Sequence, residues 1–141
     1  MQNNQILRNL VALSIIPGLG CRRVKHLILE CDDLENIFNF SKTKLRSYER
    51  LGEASALAIL SFKDWDKVDS ILEQTAKIGA QIVTLADENY PRLLKEIYDP
   101  PIILWLKGNT DALSKPGVGV IGTRNASTYG KKIAKKLSLE L

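Results

Sequence analysis

The sequence predicts an α/β protein in two parts, a helical N-terminal unit built around a helix-hairpin-helix and then the start of a strand-turn-helix arrangement. Three observations predict it. Apolar residues recur at helical spacing from Gln5 to Ile78, short β-type runs appear only after Gly79, and the stretch from Gly117 to Gly130 passes from an apolar run through a glycine-marked turn into a helix. The composition shifts between Ser61 and Asp64, so the boundary is placed to give a helical unit of residues 1–62 and an α/β unit of residues 63–141.

The elements follow in order. Ile6, Leu10 and Leu13 share one face of a helix from Gln5 to Ile16, which Pro17 and Gly18 stop. A second helix runs from Cys21 to Glu30 with Val24, Leu27 and Ile28 inward. Asp32 or Asp33 caps a short turn through Leu34, Ile37 and Phe38, and Ser41 caps another. Leu45, Leu51 with Gly52, and the stretch from Ala54 to Leu60 complete the helical unit, and a longer helix from Asp64 to Ile78 ends at Gly79 as its C-cap. Strands are expected at Gln81 to Leu85, Ile102 to Leu106 and Val118 to Ile121. Between the first two, Pro91 opens a helix from Tyr90 to Ile97 that Asp99-Pro100-Pro101 closes with a rigid bend. A last helix starts near Thr128, with Ile133, Ala134, Leu137 and Leu141 as its apolar stripe.

At 141 residues the chain can bury a core of useful size as one ordinary domain or two small ones. No apolar run approaches a membrane span, and Met1-Gln2-Asn3-Asn4-Gln5 lacks the pattern of a signal peptide, so a cytoplasmic protein without membrane attachment is expected. Cys21 and Cys31 read as reduced, packed thiols, and with His26 as the single histidine no metal site is expected. The net charge of +4 is unevenly placed. Arg8, Arg22, Arg23 and Lys25 precede Glu30 with no acid among them, and Lys107, Lys115, Arg124, Lys131, Lys132, Lys135 and Lys136 follow Leu106 against Asp111 and Glu140 alone. Two separated basic regions suit a polyanion better than a small acidic substrate.

Two motifs carry chemistry. Ile16-Pro17-Gly18-Leu19-Gly20, with Arg22, Arg23 and Lys25 beyond it, reads as a helix-hairpin-helix. Gly18 and Gly20 let the backbone turn tightly beside a phosphate, and the basic side chains hold neighbouring phosphates; the same residues also suit a plain αα turn with Leu19 in the core. The second motif is Gly122-Thr123-Arg124 with Ser127, Tyr129, Gly130 and Lys131, at the carboxyl end of an apolar run and the start of a helix. Gly122 permits the bend, Arg124 offers a donor fork to phosphate oxygens, Thr123 and Ser127 offer hydroxyls, and the helix start is positive. The spacing is not the dinucleotide fingerprint, and no Walker-type sequence or catalytic constellation occurs, so no cofactor and no enzymatic activity are expected.

Taken in order, Pro17-Gly18-Leu19-Gly20, then Tyr90-Pro91 with Leu93, Leu94, Ile97, Asp99, Pro100 and Pro101, then Leu104, Lys107, Gly108 and Asn109, then Val120-Ile121-Gly122-Thr123-Arg124 with Ser127, Tyr129 and Gly130, resemble the DNA-processing protein A family, DprA or Smf. The resemblance covers essentially the whole chain, and its central run is the specific part. It implies a SAM-like helical domain followed by the truncated start of an extended Rossmann-like DNA-binding domain. It further implies a bacterial protein that binds single-stranded DNA with little sequence preference and helps load the RecA recombinase during natural transformation, paired as a homodimer. Carried onto this sequence, Gly122 is the turn former and Arg124 a phosphate contact, with Thr123, Ser127 and Lys131 beside them. The family's core continues past its first Rossmann helix, so the chain reads as an N-terminal fragment, with the regions that pair and contact RecA outside it. Two other classes stay open: a Rossmann-like enzyme processing nucleotides or sugar phosphates, and a protein-interaction role for the first sixty or so residues.

Overall fold

Residues 4–140 are described by a computed structural model. Helix α1 (Asn4–Ile15) is the centre of the packing: Leu10, Val11, Ala12 and Leu13 are all buried, a broader face than the predicted stripe. A helix buried on so many sides needs neighbours all round. Here α2 (Cys21–Glu30), a 3-10 turn (Leu34–Asn39), α5 (Trp65–Lys77) and strand β2 (Ile103–Leu106) supply them. The remaining helices of this part are α3 (Lys42–Ser47) and α4 (Glu53–Leu60), packed on each other.

Local sequence sets these boundaries. Gly18 turns the chain after α1 at φ 78°, Asp33 accepts a hydrogen bond from the Asn36 N–H at the start of the 3-10 turn, and Ser41 accepts one from the Lys44 N–H at the start of α3. Gly79, at φ 66°, follows α5. These agree with the sequence reading, whereas Asp64 precedes α5 without a side-chain cap.

One buried polar residue lies where the pattern gave no hint. Asn9 is 1% exposed; its Nδ2 donates to the Leu34 and Glu35 carbonyls, each at 2.8 Å, and its Oδ1 accepts from Gln5 Nε2. It ties the 3-10 turn to α1 by donating to the first two carbonyls of that turn.

Composition changes near residue 62, but the apolar core runs on past it to include Val68 of α5 and Ile102 and Ile103 at β2. Phe38, Phe62 and Trp65 pack as an aromatic triad with ring centroids 4.8–5.6 Å apart. The Arg8 guanidinium lies over Trp65 and pairs through two nitrogens with Asp69, at 2.6 and 2.8 Å, joining α1 to α5.

Strand β1 (Gln81–Thr84) pairs antiparallel with β2, Ile82 opposite Trp105 and Val83 opposite Leu104. The period of two divides the faces cleanly. Ile82 and Ile103 meet the helical core, while Val83, Leu104 and Leu106 form a second apolar cluster with Leu85, Tyr90 and Leu94. The buried Tyr90 hydroxyl donates to the Pro101 carbonyl at 2.7 Å, anchoring the Asp99-Pro100-Pro101 bend. Burial, with Cys21 nearby, raises its pKa above the ordinary tyrosine value.

Four expectations need correction. The helix predicted from Tyr90 to Ile97 is a single turn, α6 (Arg92–Lys95). The run Val118–Ile121 forms no strand: it has no hydrogen-bonded neighbour among the described residues, and Ile121 is 97% exposed. A β-prone run becomes a strand only when another strand satisfies its backbone groups. In α7 (Thr128–Glu140), for the same want of a covering layer, Ile133 and Leu137 are exposed and Ala134 only half-buried, and Leu141 lies outside the described residues. Cys21 is exposed at the start of α2, whereas Cys31 is buried as expected.

Candidate nucleic-acid interface

The turn before α7 gathers the residues singled out in the second motif. Gly122, Thr123, Arg124 and Ser127 are all exposed, and Arg124 begins a tight turn with Asn125. Ser127 is the helix cap: its Oγ accepts from the Gly130 N–H at 3.1 Å and its carbonyl from the Lys131 N–H at 3.0 Å. That leaves the hydroxyl proton to donate outward, beside the positive end of a 13-residue helix. Arg124 makes no ion pair with the described residues, so its donor fork faces solvent. A Cβ on Gly122 would meet nothing within 4 Å, so within this chain the glycine is not required by crowding, contrary to the expectation that a side chain would obstruct the bend. Lys131, Lys132 and Lys135 stand exposed along α7, and Lys136 approaches Glu140 at 3.8 Å.

The hairpin is a second basic surface. Its backbone turns at Gly18, buries Leu19 in the core and opens α2 at Gly20, which brings no side-chain cap. The Arg23 guanidinium donates to the Gly18 carbonyl at 3.0 Å, bracing the turn. Arg22 lies over the ring of Tyr98, 4.6 Å from its centroid, and Lys25 is half-buried farther along α2. Arg8 does not belong to this surface. Its charge is committed to Asp69, which raises the guanidinium pKa and lowers that of the carboxylate.

Residues 81–141, which include the whole of the Arg124 turn, match the family model described as DNA recombination-mediator protein A. Over 135 residues, 93% of this chain, the sequence is 30% identical to Protein Smf of a Synechocystis species, and over 78 residues, 55% of the chain, it is 36% identical to DNA processing protein DprA of Bacillus subtilis. The chain belongs to the DprA/Smf family. The DprA of Streptococcus pneumoniae is 44% identical over 54 residues, 38% of this chain. The chain spans 34% of the Synechocystis protein, 26% of the Bacillus one and 19% of the Streptococcus one. No solved structure gives a significant match.

Within this DprA/Smf chain the sequence motifs name two basic surfaces but miss what completes the hairpin one. Arg50 and Asp99 line a cleft of about 350 Å³ together with Gly20, Cys21, Arg22 and Arg23. Neither is near the hairpin in sequence, and no linear spacing signals their convergence. The one available hint is that Asp99-Pro100-Pro101 reads as a rigid bend, which restricts the backbone of Asp99.

Proposed function

We propose that this chain is part of a non-enzymatic, single-stranded-DNA-binding recombination mediator that acts in DNA processing during natural transformation. What supports the reading most is the Arg124 turn: an unpaired guanidinium, a cap hydroxyl with a proton to donate and a helix start with exposed lysines converge on one exposed corner. Such donors bind phosphate oxygens whatever the base, giving affinity without sequence preference. The relatives' names, DNA processing protein and recombination mediator, fit that chemistry. Gly122, Thr123, Arg124, Ser127 and Lys131 form the primary contact, and Gly18, Gly20, Arg22, Arg23 and Lys25 a secondary one. The helical part is SAM-like and the rest begins a Rossmann-like domain whose sheet would pair the Val118–Ile121 run. For the whole protein, loading of RecA and homodimerisation follow from the same assignment.

Equilibrium binding of labelled oligothymidylate tests the reading, with duplex of equal length and thymidine monophosphate as competitors. Tight binding to the oligonucleotide that mononucleotide fails to displace is expected, and Arg124→Ala weakens it by about 5- to 10-fold for any base sequence. Mononucleotide bound as tightly as oligonucleotide, at the Arg124 turn, would instead make this a small-ligand phosphate site of the enzyme class.

A further inference from the structure

The cleft at the hairpin joins groups from three separate parts of the chain: Arg22 and Arg23 from α2, Arg50 from the loop before α4, and Asp99 from the proline bend. Three guanidinium groups against one carboxylate leave its lining net positive. The other acids nearby are Glu49, 3.5 Å from the Arg50 Nε, and Glu30, whose carboxylate accepts from the Glu49 N–H at 3.1 Å; with the Glu49 side chain 67% exposed, its pairing with Arg50 is water-screened and leaves most of the Arg50 donor fork unused. The ring of Tyr98, next to Asp99 in the chain, is 78% exposed with Arg22 over one face, so its other face is open.

Arg50 is also held at φ 65°, in the left-handed region where glycine is at ease and an arginine is strained. Leu51, buried next to it, and Gly52, which opens α4, fix the path of the chain there. A long cationic side chain at a position whose backbone favours glycine is held by something other than local conformational preference.

We propose that this cleft is a second single-strand site, which takes a phosphate between Arg50 and Arg23 while the adjoining base stacks on the open face of Tyr98. The inference rests on the single-stranded-DNA reading above and assigns Arg50 and Tyr98, which neither motif contains. Stacking on an aromatic face is tolerant of base identity, and a phosphate held by planar donor forks adds salt-dependent affinity.

The test uses the full chain and fluorescein-labelled oligothymidylate, with Arg50→Gly, Tyr98→Ala and Tyr98→Trp variants and inorganic phosphate as a competitor. Arg50→Gly relieves the backbone strain, so its thermal midpoint is unchanged or higher, while oligonucleotide affinity falls by about 10-fold. Tyr98→Ala weakens binding by a similar factor and Tyr98→Trp restores it. If wild-type chain binds and both Arg50→Gly and Tyr98→Ala bind equally well, the cleft is no nucleic-acid site and the inference fails while the Arg124 reading stands. If Arg50→Gly weakens binding but Tyr98→Ala does not, and phosphate alone displaces the oligonucleotide, the cleft is a small-anion site and the stacking proposal is overturned. Failure of wild-type chain to bind oligothymidylate at all removes both readings.

Discussion

Single residues show how this chain separates charge paired within the fold from charge left to solvent. Arg8 and Arg124 are both arginines in basic stretches, yet Arg8 is paired with Asp69 and stacked on Trp65, whereas Arg124 faces solvent. The pairing has a pH signature. The Asp69 carboxylate is held below its ordinary pKa chiefly by the hydrogen bond from Arg8, and Glu53 is held low by Lys42, 2.6 Å away. Because the folded state prefers both ionised, their stabilisation is complete above the unfolded pKa of about 4 and is lost as pH falls through the lower folded values. Urea midpoints should therefore drop on acidification below about pH 4, and Asp69→Asn should flatten that fall; an unchanged profile in this variant would show that the pair contributes nothing. At the alkaline end, the Tyr48 phenol is pushed up to about 12, first by its hydrogen bond with Cys31, then by burial and by charge on Cys31, Asp32 and Asp33. Absorbance titration should show one phenol ionising near that value, absent in Tyr48→Phe; a Tyr48 that ionises near 10 would contradict the contact.

At the scale of elements, what was legible in the sequence is what local chemistry decides. The spacing of Val24, Leu27 and Ile28 places α2, the caps at Asp33 and Ser41 mark helix starts, and the β-type runs after Gly79 become β1 and β2. What was not legible depends on partners distant in the chain. Asn9 sits beside Leu10 on a face read as apolar, and only the Leu34 and Glu35 carbonyls explain it. Val118–Ile121 has the composition of a strand and stays unpaired because strand formation is decided by a neighbour. Replacing Asn9 with alanine removes both hydrogen bonds from the amide to this turn, at a cost of about 2–3 kcal/mol of folding stability by chemical denaturation. A change below about 0.5 kcal/mol would mean that water substitutes for the amide.

Across the whole molecule, packing density falls along the chain. The core that starts in α1 extends through α5 to Ile102 and Ile103, while α7 buries no residue and the stretch before it is exposed throughout residues 111–125. The candidate site therefore stands on the least packed part, and its turn, its Ser127 cap and its exposed guanidinium were legible in the sequence because they are neighbours along the chain. The hairpin cleft, which needs Arg50 and Tyr98 brought in from elsewhere, was not. Amide hydrogen exchange should reflect this gradient, with strong protection in α1, α5 and β2 and little between residues 111 and 140. Equal protection in both regions would mean that the second is packed in a way its exposure does not suggest.

Salt dependence of oligothymidylate affinity is the most direct measure of whether the Arg124 corner grips a sugar-phosphate strand. The logarithm of affinity should fall linearly with the logarithm of salt concentration, and Arg124→Ala should lower the steepness by about 0.7, the share of one phosphate contact on a single strand. A variant whose salt slope matches that of the parent chain, or binding that ignores salt altogether, would contradict the account.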